Sequence, residues 1–398
     1  MLPSLQRDLL ISCLAAAFLL GLAMTWIPPV VDATGDYMTT NLWSELRPRA
    51  LVGSIVSILN LDPTGYLIIK LAAHFIWLGL VFNLLLERSR DSQQPQGLNR
   101  IYTLCVLALI FSFSTVTVMA LGPVDLIDSV AFVFILLAYF ILKRESETLG
   151  FARIAVTTAL LLSAVLTHEK SVFDIGILAT WFLWKRGARF VALCFAPAVL
   201  LSVAFLVLIG ERTTNNGLPP AEYIEQIGSS YAFLRDHSFN LWGVLAGGGA
   251  LWLLYLYCCL QFTFLEGSRQ QQLMQATLAF AMTGLCFLAL LVAHDTNRLL
   301  ALIYLPLLLI MSQLDIYALL RKPVAKVALA TSLALQFAIP PMLVYQHGMV
   351  PYNCYAMEFA NKYLEPKRSG MSRNERPFQL FVYPRLDVTN TFSDRCSL

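Results

Sequence analysis

The chain has 398 residues, of which 58% are hydrophobic and only 13% charged, roughly half the charged share of an ordinary soluble domain. That composition excludes a soluble enzyme. A net charge of +3 scattered along the chain also excludes nucleic-acid binding, which needs a basic stripe on a soluble face.

Apolar runs near the ~20 residues that cross a hydrocarbon core as helix recur between short charged stretches. They predict an all-α polytopic membrane protein with about eleven transmembrane helices, at 9–27, 64–86, 101–122, 124–142, 152–168, 170–184, 190–209, 241–264, 273–293, 298–319 and 325–346. Residues 1–346 form one bundle with outer loops at 28–63 and 211–240, and 347–398 form a tail. Leu9 to Ile27 lacks a small-residue cleavage site and runs into Pro28-Pro29, so it is read as a retained span rather than a signal peptide.

Charge sets the orientation. With the N-terminus cytoplasmic, the loops holding Arg88, Arg90 and Arg100, then Lys143, Arg144 and Arg153, then Lys185, Arg186 and Arg189, then Arg269, and finally Arg321, Lys322 and Lys326 all fall inside. The opposite loops hold fewer basic residues, as the positive-inside rule expects. An odd number of spans then puts the C-terminal tail outside.

Cys354 and Cys396 lie in that tail, where an oxidising compartment permits a disulfide, whereas the other six cysteines fall in spans as small apolar fillers. No His/Cys spacing suggests zinc.

Four polar stretches converge on the outer side. After span one come Asp32 and Asp36, the latter between Gly35 and Tyr37. They are followed by Ala50 to Leu61, which is too short to span and suited to an interfacial helix. A solvated turn and a cap explain the two acids equally well. At the head of span four, Asp125 and Asp128 share a helical face; capping accounts for Asp125, while Asp128 lies deeper, where a carboxylate normally faces protein, water or a partner.

The hinge between spans five and six is His168-Glu169-Lys170, with Asp174 four residues on. An ordinary hinge would use Gly, Asn, Ser or Pro. The fourth stretch, His294-Asp295-Thr296-Asn297-Arg298, opens span ten; Asp295 and Arg298 form either an intrahelical pair or, through the guanidinium fork, a phosphate clamp. The outer loop contains an amphipathic pattern over 221–234 suited to a lid, and 378–382 reads as a short strand. The span interiors look clean apart from Lys70, His74 and Asp315, and Lys70 is near enough to the outer end to snorkel.

The many spans, the acidic first outer loop with Asp32 and Asp36 and the interfacial helix after it resemble the GT-C superfamily of integral-membrane glycosyltransferases. The resemblance implies an inverting glycosyltransferase in a bacterial inner membrane, facing the periplasm, that takes sugar from a polyprenyl-phosphate donor to a glycan or lipid acceptor. It implies Asp36 as general base with Asp32 as its alternate. Substrate and phosphate binding would fall to His168, Glu169, Lys170, His294, Asp295, Arg298 and Asp128. No cofactor is required, and a divalent metal is compatible because some relatives use one.

Two active alternatives remain. A surface-polysaccharide polymerase would grip two lipid carriers with outer arginines such as Arg47, Arg49, Arg212 and Arg235. A lipid-linked sugar flippase or transporter would show a polar centre. A scaffold without catalysis is the plain reading beside all three.

Overall fold

The structure, a computed structural model, describes residues 2–26, 42, 50–61, 63–91, 105–111, 114, 117, 128–144, 150–168, 170–212, 249–265, 267–290, 301–315, 322–338, 342–345 and 348–351. The expectations for Asp32, Asp36, Glu169, His294, Asp295, Arg298, Cys354, Cys396, the lid at 221–234 and the strand at 378–382 lie outside these residues.

The described chain is helical apart from one hairpin. In order run α1 (Leu2–Trp26), α2 (Ala50–Ile58), α3 (Pro63–Asp91), α4 (Asp128–Lys143), α5 (Phe151–Thr167) and α6 (Ser171–Arg186). Then come α7 (Ala188–Arg212), α8 (Ala250–Thr263), α9 (Arg269–Leu290), a 3-10 turn (Ala301–Ile303), α10 (Tyr304–Met311) and α11 (Pro323–Ala338). Strands β1 (Met342–Tyr345) and β2 (Gly348–Pro351) pair antiparallel.

Among the described residues, three helices are long and apolar enough to cross a membrane, over Gly65–Glu87, Ala188–Phe205 and Arg269–Ala289, and shorter apolar helices accompany them. The exterior is apolar: Leu10, Leu14 and Phe18 of α1, Leu200 and Val203 of α7, and Phe280 of α9 all face outward. The interior, by contrast, holds Lys70, Asp128, Lys170 and Asp174. An apolar surface around a core that contains charge is the arrangement of a membrane-embedded protein.

Two helices form the centre. α4 packs against α3, α5 and α6, and α10 packs against α6, α8 and α9. Every residue of α10 is buried. Aromatic rings join the two halves, with Phe132 of α4 and Tyr304 of α10 at 4.6 Å between centroids, and Trp77 of α3 at 6.3 Å from Phe132 and 5.8 Å from Tyr304. In lipid the packing of such rings carries much of the association between helices, because apolar surface gains little by leaving hydrocarbon.

The segment expected to lie in the interface is α2, which packs on α5 and buries Ala50, Val52 and Val56. It ends in a left-handed turn at Asn60 (φ 48°), with the Leu61 N–H donating to the Val56 carbonyl at 2.9 Å, the pattern that satisfies carbonyls left open at a helix C-terminus. Gly187 alone separates α6 from α7. Its φ of +82° is one that glycine tolerates and side-chain-bearing residues rarely adopt.

Helix ends meet in a regular way. Lys143 at the end of α4 pairs with Glu87 near the end of α3, Lys185 of α6 donates to Gln313 after α10, and Lys322 Nζ donates to Gln261 Oε1 of α8 at 3.4 Å. Arg153 of α5 reaches back to the C-terminus of α4, donating to the carbonyls of Ile141 (2.6 Å and 3.1 Å), Leu142 (3.0 Å) and Arg144. All these ends are ones that alternation from the N-terminus assigns to the cytoplasmic side.

Three expectations change. The last expected span, 325–346, is cut short: α11 stops at Ala338 and β1 begins at Met342, and the intervening Pro340-Pro341 has no N–H groups to continue a helix. Span ten is also shorter, because after Met311 the chain turns, with the Ser312 hydroxyl donating back to the Leu309 carbonyl at 2.6 Å. Finally, Lys70 does not snorkel to the surface; it is fully buried inside the protein.

The Arg153 contacts give a measurable expectation. Replacing Arg153 by Met should lower unfolding stability in detergent by about 2–3 kcal/mol, since a charged donor serving several helix-terminal carbonyls is removed. Lys143→Met, at a pair whose Glu87 is half exposed, should cost no more than about 1 kcal/mol. Equal losses for the two would show that Arg153 is not the stronger fastening.

Candidate functional site

Opposite the basic helix ends, three elements bring ionisable residues together. α4 begins at Asp128, α5 ends at Thr167, and α6 begins at Ser171. The α5–α6 hinge is therefore short enough to hold His168 and Lys170 against the head of α4. His168 leaves the helix in an extended conformation (φ −159°, ψ 125°), and Lys170 returns at once to helical angles (φ −60°, ψ −20°). The backbone N–H of Lys170 donates to His168 Nδ1 at 3.1 Å, which locks the hinge.

The Lys170 ammonium forms an ion pair with Asp128, with side chains only 3% and 0% exposed. Its Nζ also lies 4.9 Å from the centre of the Phe132 ring, one turn along α4 from Asp128, a favourable place for a desolvated cation. Asp128 and Lys170, which the sequence placed in separate outer stretches, are thus in direct contact.

A second carboxylate belongs to this cluster. Asp174, one turn into α6, is fully buried and within electrostatic reach of both Lys170 and Asp128. Neither of its oxygens has a hydrogen-bond partner among the described residues. Tyr304 of α10 lies within electrostatic reach of both acids, and its hydroxyl likewise has no partner among those residues. Ser129 and Ser171 add to the buried polar surface, the Ser129 hydroxyl donating to the Lys70 carbonyl at 3.4 Å.

The polar region continues inward along α3. His74 and Lys70, four residues apart on one face of α3, are both fully buried. The His74 ring stacks on Trp77 at 5.3 Å, and Trp77 touches Tyr304 edge-on. Neither nitrogen of His74 has a hydrogen-bond partner among the described residues.

Sequence reasoning singled out Asp128, His168 and Lys170 and did not carry Asp174, Tyr304, Lys70 or His74 into the site. For Lys70 and His74 the available signal was their four-residue spacing within an apolar helix, which places both on one face. Tyr304 had no signal, since a tyrosine in a span reads as an interfacial anchor.

Chemically, the described residues offer the Lys170 ammonium, the carboxyl groups of Asp128 and Asp174 and several hydroxyls in a site shielded from water. Among the described residues, no three His, Cys, Asp or Glu side chains converge as metal ligands. A divalent ion at this end would draw on Asp128 and Asp174 together with oxygens of its substrate.

No family model, no curated protein and no solved structure matches this chain.

The ion pair predicts an asymmetry. Removing one member of a buried pair costs about 3–5 kcal/mol, since it strands the other charge. Lys170→Met removes the ammonium that pairs with Asp128 and lies within electrostatic reach of Asp174, so it should show that full loss in unfolding titrations. Asp128→Leu leaves Lys170 beside Asp174 and should cost clearly less, and the double variant should regain part of the Lys170→Met loss. A larger loss for Asp128→Leu than for Lys170→Met would rule out Asp174 as the second counter-ion.

Proposed function

We propose that the chain is a membrane glycosyltransferase that moves a sugar from a polyprenyl-phosphate carrier to a glycan or lipid acceptor on the outer face of a bacterial inner membrane. The observation that carries this reading is the buried Lys170–Asp128 pair at the end of an apolar bundle. It supplies a fixed cation at the depth where a lipid-borne phosphate enters from the membrane. A lysine held between carboxylates and backed by an aromatic ring is positioned before substrate arrives, the condition under which electrostatic stabilisation is most effective.

In this reaction the Asp36 carboxylate takes the proton of the acceptor hydroxyl, and the acceptor oxygen bonds to the anomeric carbon. The bond from that carbon to the phosphate oxygen breaks with inversion, and its electron pair leaves on the phosphate. Lys170 and Arg298 stabilise the negative charge that gathers there. Asp32 stands by as alternate base, while His168, Glu169, His294 and Asp295 hold sugar hydroxyls or orient the two cations. The resemblance to the GT-C superfamily supports this division of labour, as do the short α5–α6 hinge and the shared end of α4 and α6. A divalent ion is compatible with the scheme.

One observation favours a second reading. Lys70, His74, Asp128, Lys170 and Asp174 are all buried within the bundle, and a lipid-linked sugar flippase would use such a polar interior to carry a headgroup across.

The two readings separate in one assay. Purified protein given a panel of polyprenyl-phosphate sugars and candidate acceptors should yield a glycosylated product with one of them. Asp36→Asn should lower the rate at least about a hundredfold, the usual scale for loss of a general base, without loss of folded protein. Movement of the lipid-linked sugar across vesicles with no product from any donor would favour the flippase, and an undiminished rate in Asp36→Asn would remove the assigned base.

A further inference from the structure

Hydrogen-bonding capacity left open inside the bundle points past the lipid phosphate to the group it carries. Ser171 and Asp174 of α6, Tyr304 of α10, and His74 and Trp77 of α3 are all fully buried. The Ser171 and Tyr304 hydroxyls, both Asp174 oxygens, both His74 nitrogens and the Trp77 indole N–H have no hydrogen-bond partner among the described residues. Buried polar groups in folded proteins are nearly always paired, and leaving one open is costly. Elsewhere such groups find partners: the Tyr255 hydroxyl meets Thr283 Oγ1 at 2.6 Å, and Thr180, further along α6, donates to the Gly176 carbonyl at 2.8 Å. Open hydroxyls on other helices, those of Ser12, Thr157, Thr158, Ser202 and Tyr257, are spread over α1, α5, α7 and α8.

The open groups on α3, α6 and α10 are neighbours. Ser171 and Asp174 are three residues apart and share a face of α6, and Tyr304 is within electrostatic reach of Asp174. Trp77 meets the Tyr304 ring edge-on at 5.8 Å between centroids, and His74 stacks on Trp77. Lys70, one turn from His74 and also fully buried, borders the set, its carbonyl accepting from the Ser129 hydroxyl beside Asp128. Lys70, Asp128, His168 and Lys170 have interactions of their own and are not among the open groups.

The mixture of groups identifies a chemical class. Asp174 offers acceptors, Trp77 offers a donor, and the hydroxyls and the imidazole serve as either. A metal ion would engage only the acceptors and an anion only the donors. A sugar ring presents several hydroxyls that each donate and accept, and its C–H faces suit the rings of Trp77, Tyr304 and Phe132. We propose that Ser171, Asp174, Tyr304, Trp77 and His74 form the subsite for the sugar of the lipid-linked substrate, an inference that rests on the glycosyltransferase reading above. Position supports it. The Lys170 ammonium lies 4.9 Å from the centre of the Phe132 ring, which is 4.6 Å from that of Tyr304. A phosphate held at Lys170 therefore has its sugar one ring away from the open groups.

The test compares ligands on the full chain in phosphatidylcholine nanodiscs. The probes are hexosyl, pentosyl and N-acetylhexosaminyl polyprenyl phosphates, against the polyprenyl methyl phosphodiester, which has the same charge and no sugar. One glycosylated form should bind about tenfold more tightly than the methyl diester, the scale of one or two neutral hydrogen bonds. Tyr304→Phe keeps the ring and removes the hydroxyl, and Ser171→Ala removes the other. Each should erase part of the preference and the double variant most of it, with the methyl diester bound as before. Tyr255→Phe, at a buried tyrosine that is already paired, should leave the preference in place. If Tyr304→Phe does not fold, Ser171→Ala gives the same readout.

No preference for any glycosylated form would overturn the proposal, as would survival of the preference in the double variant, which would leave the open groups to ordered water. Equal weakening of the glycosylated form and the methyl diester would assign Ser171 and Tyr304 to packing and overturn it as well. The methyl glycoside of the preferred sugar should bind far more weakly than the lipid-linked form, and equal binding would overturn the assignment to a lipid-linked substrate. A preference that the double variant loses, with no sugar transfer from any donor, would remove the glycosyltransferase reading and leave the sugar subsite standing. Intact transfer with no binding preference would remove the subsite alone.

Discussion

The contact between Lys170 and Asp128 is the constraint around which the described structure is arranged. It joins the head of α4 to the head of α6, and both charges are out of reach of water. An ion pair in that setting persists only if its surroundings hold it in place. The short hinge does so on one side, through the Lys170 N–H to His168 Nδ1 bond. On the other, Phe132 lies under the ammonium and packs on Tyr304, which ties the pair to α10. Helices from both halves of the sequence are thus fixed relative to one small polar centre.

The two ends of the bundle solve different electrostatic problems. At the basic end, Lys143, Arg153 and Lys185 meet helix C-termini and polar side chains, where partial negative charge from open carbonyls is stabilised. At the other end the charges lie inside, among serines, a tyrosine and aromatic rings. The first arrangement fastens helices together. The second costs stability and is a natural place for chemistry, since buried ionisable groups in a membrane bundle are retained where they serve a function.

Much of this was legible in the sequence, and what was missed has a physical cause. Apolar runs and charge alternation mark most helices, and Ala50 to Leu61 announces α2 by being too short to span. Asp128 stands out as a carboxylate set deeper than a cap requires, and the hinge as an odd place for three titratable residues. What the linear pattern could not give was rotation. Lys70 near a helix end reads as a snorkelling lysine until the face it occupies is known, and that face turns inward. The pairing of Asp128 with Lys170 joins residues 42 positions apart, a distance over which no local spacing rule operates. The overlong last span was avoidable, since Pro340-Pro341 marks its stop.

The near-complete burial of α4 bears on how the chain enters the bilayer. A helix that packs against three others and opens with a buried carboxylate has little surface of its own suited to lipid. During synthesis α4 would face the bilayer before most of its partners exist. α5 follows within a few residues, and its Arg153 closes on the end of α4. α4 and α5 thus form a helical hairpin, and the turn after α5 supplies Lys170, the residue that pairs with Asp128. Because the acid is synthesised before the base, Asp128 has no Lys170 to pair with until α5 and the hinge have followed it.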